Sequence, residues 1–291
     1  MISAALVKEL RELTGAGMMD CKKALVETNG NVEEAVTWLR EKGIMKAAKK
    51  ESRIAAEGVC KFVIEGNKAV VFEVNSETDF VAKNEKFQEL VSKIGNAILN
   101  SDAKSDEEAL EVQTDEGKIS DLLVSAIATI GEKITLRRVN VLEKTDAQVF
   151  GAYSHMNGRI VSVVVLDGEN AEVAKDISMH VAAMNPKYLD ASKVDADFLA
   201  KETEIARVET LNDGKPKPEH VVEKIVEGKV NKVLKGICLV DQLFVKNQDV
   251  TVGQYVKDHK CNIATYIRLE VGEGIEKKKD DFVAEVMAAI K

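Results

Sequence analysis

No apolar run in this chain approaches the length of a membrane span, so no transmembrane helix is expected. The opening residues, Met1-Ile-Ser-Ala-Ala, lack the basic stretch and long apolar core of a secretory signal; on sequence grounds the protein reads as cytoplasmic. A positive excess is also missing. The net charge is -8 and the isoelectric point is about 5.3, so direct nucleic-acid binding is not expected, because phosphates demand concentrated Lys and Arg. The one basic cluster, Lys46 to Lys50, is short; it reads as a solvated linker face, with phosphate contact as the minority alternative. The cysteines, Cys21, Cys60, Cys238 and Cys261, are far apart and form no C-x-x-C pair, and no His stands at ligand spacing. Zinc and redox motifs are therefore unsupported, and reduced, packed thiols are the simplest reading.

Catalytic signatures are absent as well. There is no G-x-x-x-x-G-K-[ST] loop, no H-E-x-x-H, no G-x-S-x-G and no dinucleotide fingerprint. Gly272-Glu-Gly274 is only a G-x-G, and it reads as a turn after the last strand. His155, His180, His220 and His259 are scattered, although folding could gather some of them. Cys21 could be offered as a nucleophile, but it lies among core-spaced residues without an obvious base, and packing is the better reading. No catalytic residue, cofactor or metal site is expected, and the chain does not read as an enzyme.

What is present is the material for several cores. The chain is 45% hydrophobic with only 4% aromatics, and at 291 residues it suggests two or more domains. The fold class expected is α+β. Residues 1–53 read as a three-helix bundle, like the ubiquitin-associated domain fold. Ala5, Leu6, Leu10 and Leu13 carry the first helical period, Thr14-Gly15-Ala-Gly17 breaks it, and Met18, Met19, Cys21, Ala24 and Leu25 carry the second. At least one of the two methionines is expected in the core. Asn31 and Glu34 form a capping pair for a third helix, which Gly43 is expected to end.

The remainder contains a weak repeat. Gly58 to Val74 reads as a hairpin turning at Gly66-Asn67, and Gly151 to Leu166 as another turning at Asn157-Gly158, a type I′ signal. Each is followed by a helix, Glu85 to Leu99 and Glu172 to Met184, and each half ends in a strand, Ile134 to Leu142 and Ala264 to Val271. Two repeated α+β subdomains follow, at about 54–146 and 147–275. The second carries an inserted antiparallel αα-hairpin, about 195–236, whose charged character suggests projection from the body. A partner or self-association surface and a plain solvated hairpin stand about even. Residues 276–291 read as a C-terminal helical module, with Phe282, Val283, Val286, Met287 and Ile290 as its apolar stripe.

The most informative run is Glu73-Val-Asn-Ser-Glu-Thr-Asp-Phe-Val-Ala-Lys83. It begins as a strand in which Val71, Glu73 and Asn75 alternate against Phe72 and Val74. Turn-prone residues then interrupt it, and Phe80 and Val81 follow where a solvated loop would be polar. Phe80 is either the first core residue of the next helix or a wedge offered to a partner at a loop tip, with Asp79 beside it.

This run resembles the second signature of the bacterial elongation factor Ts family, the nucleotide exchange factors of the translational GTPase elongation factor Tu. Leu10-Arg-Glu-Leu-Thr-Gly-Ala-Gly-Met-Met-Asp-Cys-Lys-Lys-Ala-Leu25 resembles the first signature. Both occur in order, near the expected spacing, and the resemblance covers essentially the whole chain. Ser76 and Glu77 fall where the family pattern varies. The resemblance implies a guanine nucleotide exchange factor that acts by mechanical displacement. Thr78, Asp79, Phe80 and Val81 would press near the magnesium site of the GTPase, and Phe80 would insert as the wedge. The N-terminal bundle, with Met18 and Met19, would dock on a helix of the GTPase domain, and His155 would face another domain. Elongation factor Tu, GDP-bound and nucleotide-free, would be the partner; homodimerisation through the αα-hairpin is a further expectation. Two other readings compete: a ubiquitin-associated-type binding module on an α+β scaffold, and an enzyme with a site between the subdomains.

Overall fold

The computed structural model describes residues 2–212 and 217–276, so the expected helix at 276–291 lies, but for Glu276, outside the described residues. The chain is α+β. By internal packing it divides into two compact units: one from Met1–Glu65, Ala69–Val141 and the chain from Leu269 on, the other from Gly66–Lys68 and Leu142–Arg268.

The first unit opens with helices α1 (Ala4–Thr14), α2 (Met18–Glu27) and α3 (Val32–Ala48). Ser3 Oγ accepts from Leu6 N at 3.2 Å to start α1, and Gly15, at φ 66°, stops it in the left-handed conformation that a side chain disfavours. Asn31 and Glu34 cap α3 reciprocally: Glu34 N donates to Asn31 Oδ1 at 3.2 Å and Asn31 Nδ2 to Glu34 Oε1 at 2.8 Å. Val7, Leu10, Cys21, Ala24, Leu25 and Ala35 close the bundle's core.

Strands β1 (Glu57–Glu65) and β2 (Lys68–Ser76) follow, then the single helical turn α4 (Asp79–Ala82), α5 (Glu85–Leu99) and α6 (Asp106–Leu110). A small antiparallel pair, β3 (Gln113–Thr114) and β4 (Gly117–Lys118), leads into α7 (Ile119–Ile130) and β5 (Thr135–Glu143). The sheet order is β1-β2-β5. Helix α3 does not end at Gly43; it runs on to Ala48 because Gly43 meets α7, where a Cβ would stand 3.3 Å from the Ala128 methyl. Strand β2 alternates as expected, but both of its faces are covered. Ala69 to Ser76 are all buried, because Val70, Phe72 and Val74 join the core with α5 while Glu73 and Asn75 face a polar network on the other side.

In the second unit β6 (Gln148–His155) and β7 (Ile160–Asp167) pair antiparallel from Gln148↔Asp167 to His155↔Ile160. Four residues join them, not the two-residue turn expected at Asn157-Gly158, and Met156, Asn157 and Gly158 all take positive φ. Next come α8 (Ala171–Met184), α9 (Ala196–Leu211), α10 (Glu219–Ile237), β8 (Leu243–Phe244), β9 (Asn247–Thr251), α11 (Val252–Asp258) and β10 (Asn262–Glu270). The sheet order is β10-β7-β6, so in each sheet the returning strand pairs with the hairpin's second strand. Helices α9 and α10 pack on each other through Ala206, Val222 and Val226, and Pro218 stands at the N-cap of α10.

Helix α8 lies so close to β6 that a Cβ on Gly151 would sit 2.0 Å from Ala174 O. Backbone cannot yield there as a flexible side chain can, so Gly151→Ala is expected to lower the unfolding free energy by about 1–3 kcal/mol, read as a shift in urea midpoint.

His180 on α8 is fully enclosed. Val245 N donates to its Nδ1 at 3.2 Å, so the ring proton is assigned to Nε2, which faces Gln242 Oε1 at 2.9 Å. Gln242 in turn donates to Gly236 O. Asp176, one turn earlier, is engaged by Lys246 and Tyr255. Burial pushes the imidazole below the ordinary 6.5, against a smaller opposing effect of the Gln242 bond. The unfolded chain thus takes up this proton first as pH falls. The contribution to stability is complete above pH 6.5 and is lost as pH drops toward the folded value. Unfolding midpoints should fall with pH over that interval, and the His180 ring signals in NMR should titrate below the ordinary histidine range.

Candidate partner-docking site

Between β2 and α5 the chain must turn while still attached to a fully buried strand. It does so through Glu77, Thr78 and the one-turn helix α4. A four-residue helix is far too short to persist alone, and side chains hold it from both ends. Thr78, extended at φ -125°, caps the turn with Oγ1 accepting from Val81 N at 3.4 Å. Ser76 Oγ donates to Thr78 O at 2.9 Å, and Gln88 Nε2 to Ala82 O at 2.6 Å.

Glu132, just past the end of α7, supplies the largest share. Its Oε2 accepts from Glu77 N at 3.0 Å and Thr78 N at 2.9 Å, and its Oε1 accepts from Thr78 Oγ1 at 2.7 Å. Glu77 returns the contact: its Oε1 accepts from Lys133 N at 2.6 Å, and Arg53 pairs with its Oε2 at 3.2 Å. The two segments therefore cap each other's backbone with a carboxylate apiece.

On this mount Ala82 is buried and Val81 packs against the core, while Phe80 is 81% exposed. The core reading of Phe80 is not what the structure shows, because Val81 and Ala82 take the inward positions. The loop tip expected around it is a helical turn. Asp79, also on the outside, pairs with Lys83 at 2.6 Å, and that hydrogen bond holds its carboxyl below the usual range.

Under the mount lies Glu73, wholly enclosed in β2. Arg138 Nε donates to its Oε2 at 2.8 Å and Arg137 Nε stands 3.1 Å from the same oxygen. Its Oε1 accepts from Asn75 Nδ2 at 2.7 Å and Gly272 N at 2.6 Å. Arg138 takes φ 54° within β5, and Asp106 accepts from the amides at the irregularity, Arg138 N at 2.9 Å and Val139 N at 2.6 Å. Burial, then the charge of Glu73, pushes the nearby Cys60 thiol far up, so it is an unreactive packed thiol.

Met18 and Met19 are 56% and 74% exposed, so neither belongs to the bundle core; Cys21, Ala24 and Leu25 fill it instead. His155, in the second unit, is exposed at the end of β6, with Tyr153 Oη 3.2 Å from its Nδ1. Among the described residues no group of three or more His, Cys, Asp and Glu is placed to hold a metal ion, and no helix is long and apolar enough to cross a membrane. Glu132 and Arg53 went unnoticed in sequence, and Glu77 was read only as a position where the family pattern varies.

The first unit thus carries a braced, solvent-facing aromatic, with exposed methionines elsewhere on the same unit. The family model described as "Elongation factor TS" matches residues 77–273, beginning one residue before Thr78. Elongation factor Ts of Acholeplasma laidlawii (strain PG-8A) is 54% identical over 292 residues, covering 99% of each chain. The chain belongs to the elongation factor Ts family, and its place is in the elongation phase of protein synthesis.

Removing one partner of the enclosed ion pair strands the other charges. Glu73→Ala is expected to cost about 3–5 kcal/mol in urea unfolding, and Glu73→Gln less, since it keeps an acceptor for Gly272 N.

Proposed function

We propose that this protein is a guanine nucleotide exchange factor for elongation factor Tu, binding its GDP-loaded form and stabilising its nucleotide-free form. The observation that carries the reading is Phe80, a large apolar side chain held 81% exposed on a braced turn, in a chain of the elongation factor Ts family. An aromatic with few rotatable bonds is a low-entropy anchor for a partner pocket. In this reading Phe80 enters the GTPase near its bound magnesium, with Thr78, Asp79 and Val81 alongside. Magnesium bridges protein and phosphates, so disturbing it removes much of the nucleotide's affinity. The protein makes and breaks no covalent bond; it acts by differential binding.

The exposed Met18 and Met19 suit an adaptable apolar contact on the GTPase domain, and His155 a contact with a second domain. The helical bundle of residues 1–53 supports the first contact, subdomain 54–146 carries the wedge, and subdomain 147–275 carries His155. The αα-hairpin at about 195–236 is assigned to self-association, supported by Ile205, Val208 and Leu211, which are exposed on α9. Action in translation places the protein in the cytoplasm, and with its net charge of -8 it needs no direct contact with nucleic acid.

Coupling sets the requirement for turnover. A factor that binds empty GTPase more tightly than loaded GTPase is weakened by nucleotide in the same ratio, so incoming GTP releases it. Equal affinity for every state would shift nothing.

Stopped-flow release of fluorescent GDP from elongation factor Tu, across magnesium concentrations, tests the reading. The protein should accelerate release strongly. Phe80→Ala should reduce the acceleration about tenfold or more, the loss of one interface anchor, while shifting unfolding free energy by less than about 0.5 kcal/mol, as befits an exposed site. Wild-type protein that leaves the rate unchanged would sink the proposal.

A further inference from the structure

The exposed wedge needs a fixed direction. A turn of four residues cannot supply one, and the hydrogen bonds that do so converge on a residue far away in sequence. We propose that Glu132 is a positioning residue for exchange, orienting Phe80 through the backbone of Glu77 and Thr78. This inference rests on the exchange reading above.

Three donors meet the Glu132 carboxylate: Glu77 N, Thr78 N and Thr78 Oγ1, all within 3.0 Å. An ionised carboxylate suits this arrangement, because it only accepts and has lone pairs to spare. By fixing Thr78 Oγ1, Glu132 also aims the oxygen that caps α4 at Val81 N. The turn that carries Asp79 and Phe80 outward, with Val81 turned to the core, is thereby pinned at its first peptide.

Glu132 is itself fixed. It follows Gly131, which closes α7 at φ 90°, with Gly131 N donating to Ile127 O at 3.0 Å. Lys50 Nζ donates to Gly131 O and Lys133 Nζ to Glu51 O, tying this turn to the segment that leaves α3. Glu77 adds the reverse bond, accepting from Lys133 N, and pairs with Arg53 from the same α3 exit. The turn at 131–133 thus joins the end of the N-terminal helices to the mount of Phe80. A GTPase gripped by the bundle would meet the wedge at a set distance and angle, and small misplacement of a working group is costly.

The test uses the full chain and four variants: Glu132→Ala, Glu132→Gln, Phe80→Ala, and Glu132→Ala combined with Phe80→Ala. The readouts are fluorescent GDP release from elongation factor Tu at saturating factor, and hydrogen exchange of the Thr78 amide in the free chain. Glu132→Ala should lose roughly tenfold in GDP release, the scale of one lost charge-assisted contact, and the Thr78 amide should lose protection. Glu132→Gln keeps one acceptor oxygen and should lose about two- to threefold. The double variant should match Phe80→Ala alone, because a residue acting through Phe80 has nothing left to position. Should Glu132→Ala fail to fold, Glu132→Gln and Thr78→Val, each alone and each with Phe80→Ala, carry the same comparison.

A folded Glu132→Ala that exchanges like wild type beside an impaired Phe80→Ala would overturn the role of Glu132 alone. Losses that multiply in the double variant would also overturn it, since they mark a general defect. An unimpaired Phe80→Ala would overturn the wedge reading, and the positioning role with it.

Discussion

One enclosed carboxylate underlies the first unit. Glu73 sits in the middle strand of its sheet, where an unpaired charge would be intolerable, and it gathers Arg137, Arg138, Asn75 and the Gly272 amide around itself. Asn75 lies in β2 itself, and the other partners come from β5 and from the chain beyond β10. A single charge therefore fixes three stretches of backbone against one another. Strand β2 ends three residues later, and the mount of Phe80 begins there, so Phe80 stands on a strand that cannot shift without exposing or orphaning Glu73.

The same pattern recurs on the surface with less at stake. Glu132 and Glu77 exchange carboxylate-to-amide bonds between two turns, and Arg53 adds a partly exposed pair. Exposed pairs alone are worth little. Here they brace a backbone whose hydrogen-bonding groups would otherwise depend on water. Geometric definition, more than stability, is what this arrangement supplies, and an exchange factor needs that definition because its effect lies in the difference between two bound states.

Much of this was legible in the sequence, for identifiable reasons. Helix α5 spans Glu85–Leu99 as read, with an apolar face in the core, and the Asn31–Glu34 cap forms as its spacing implies. The misreadings came from long-range packing. Gly43 looked like a helix stop because its reason for being glycine, the closeness of α7, is invisible in local sequence. The alternation of β2 was visible, but nothing local announces that Glu73 meets two arginines some 65 residues away. Met18 and Met19 looked partly buried because their neighbours Cys21 and Leu25 are. The motif containing Phe80 could be found by resemblance, while the residues that mount it could not, since Glu132 is an ordinary surface glutamate until the fold brings it to Thr78.

The bond between Glu73 and the Gly272 amide spans 199 residues, and the whole of Leu142–Arg268 is interposed as a unit of its own. A ribosome adding about 5–20 residues per second needs roughly 10–40 s to travel that distance. Throughout that time the nascent first unit must shelter a carboxylate whose final amide partner has not yet been made. The interposed unit is complete and free to fold before the first is sealed. A factor that serves protein synthesis must, in its own making, wait for most of its chain before this contact can form.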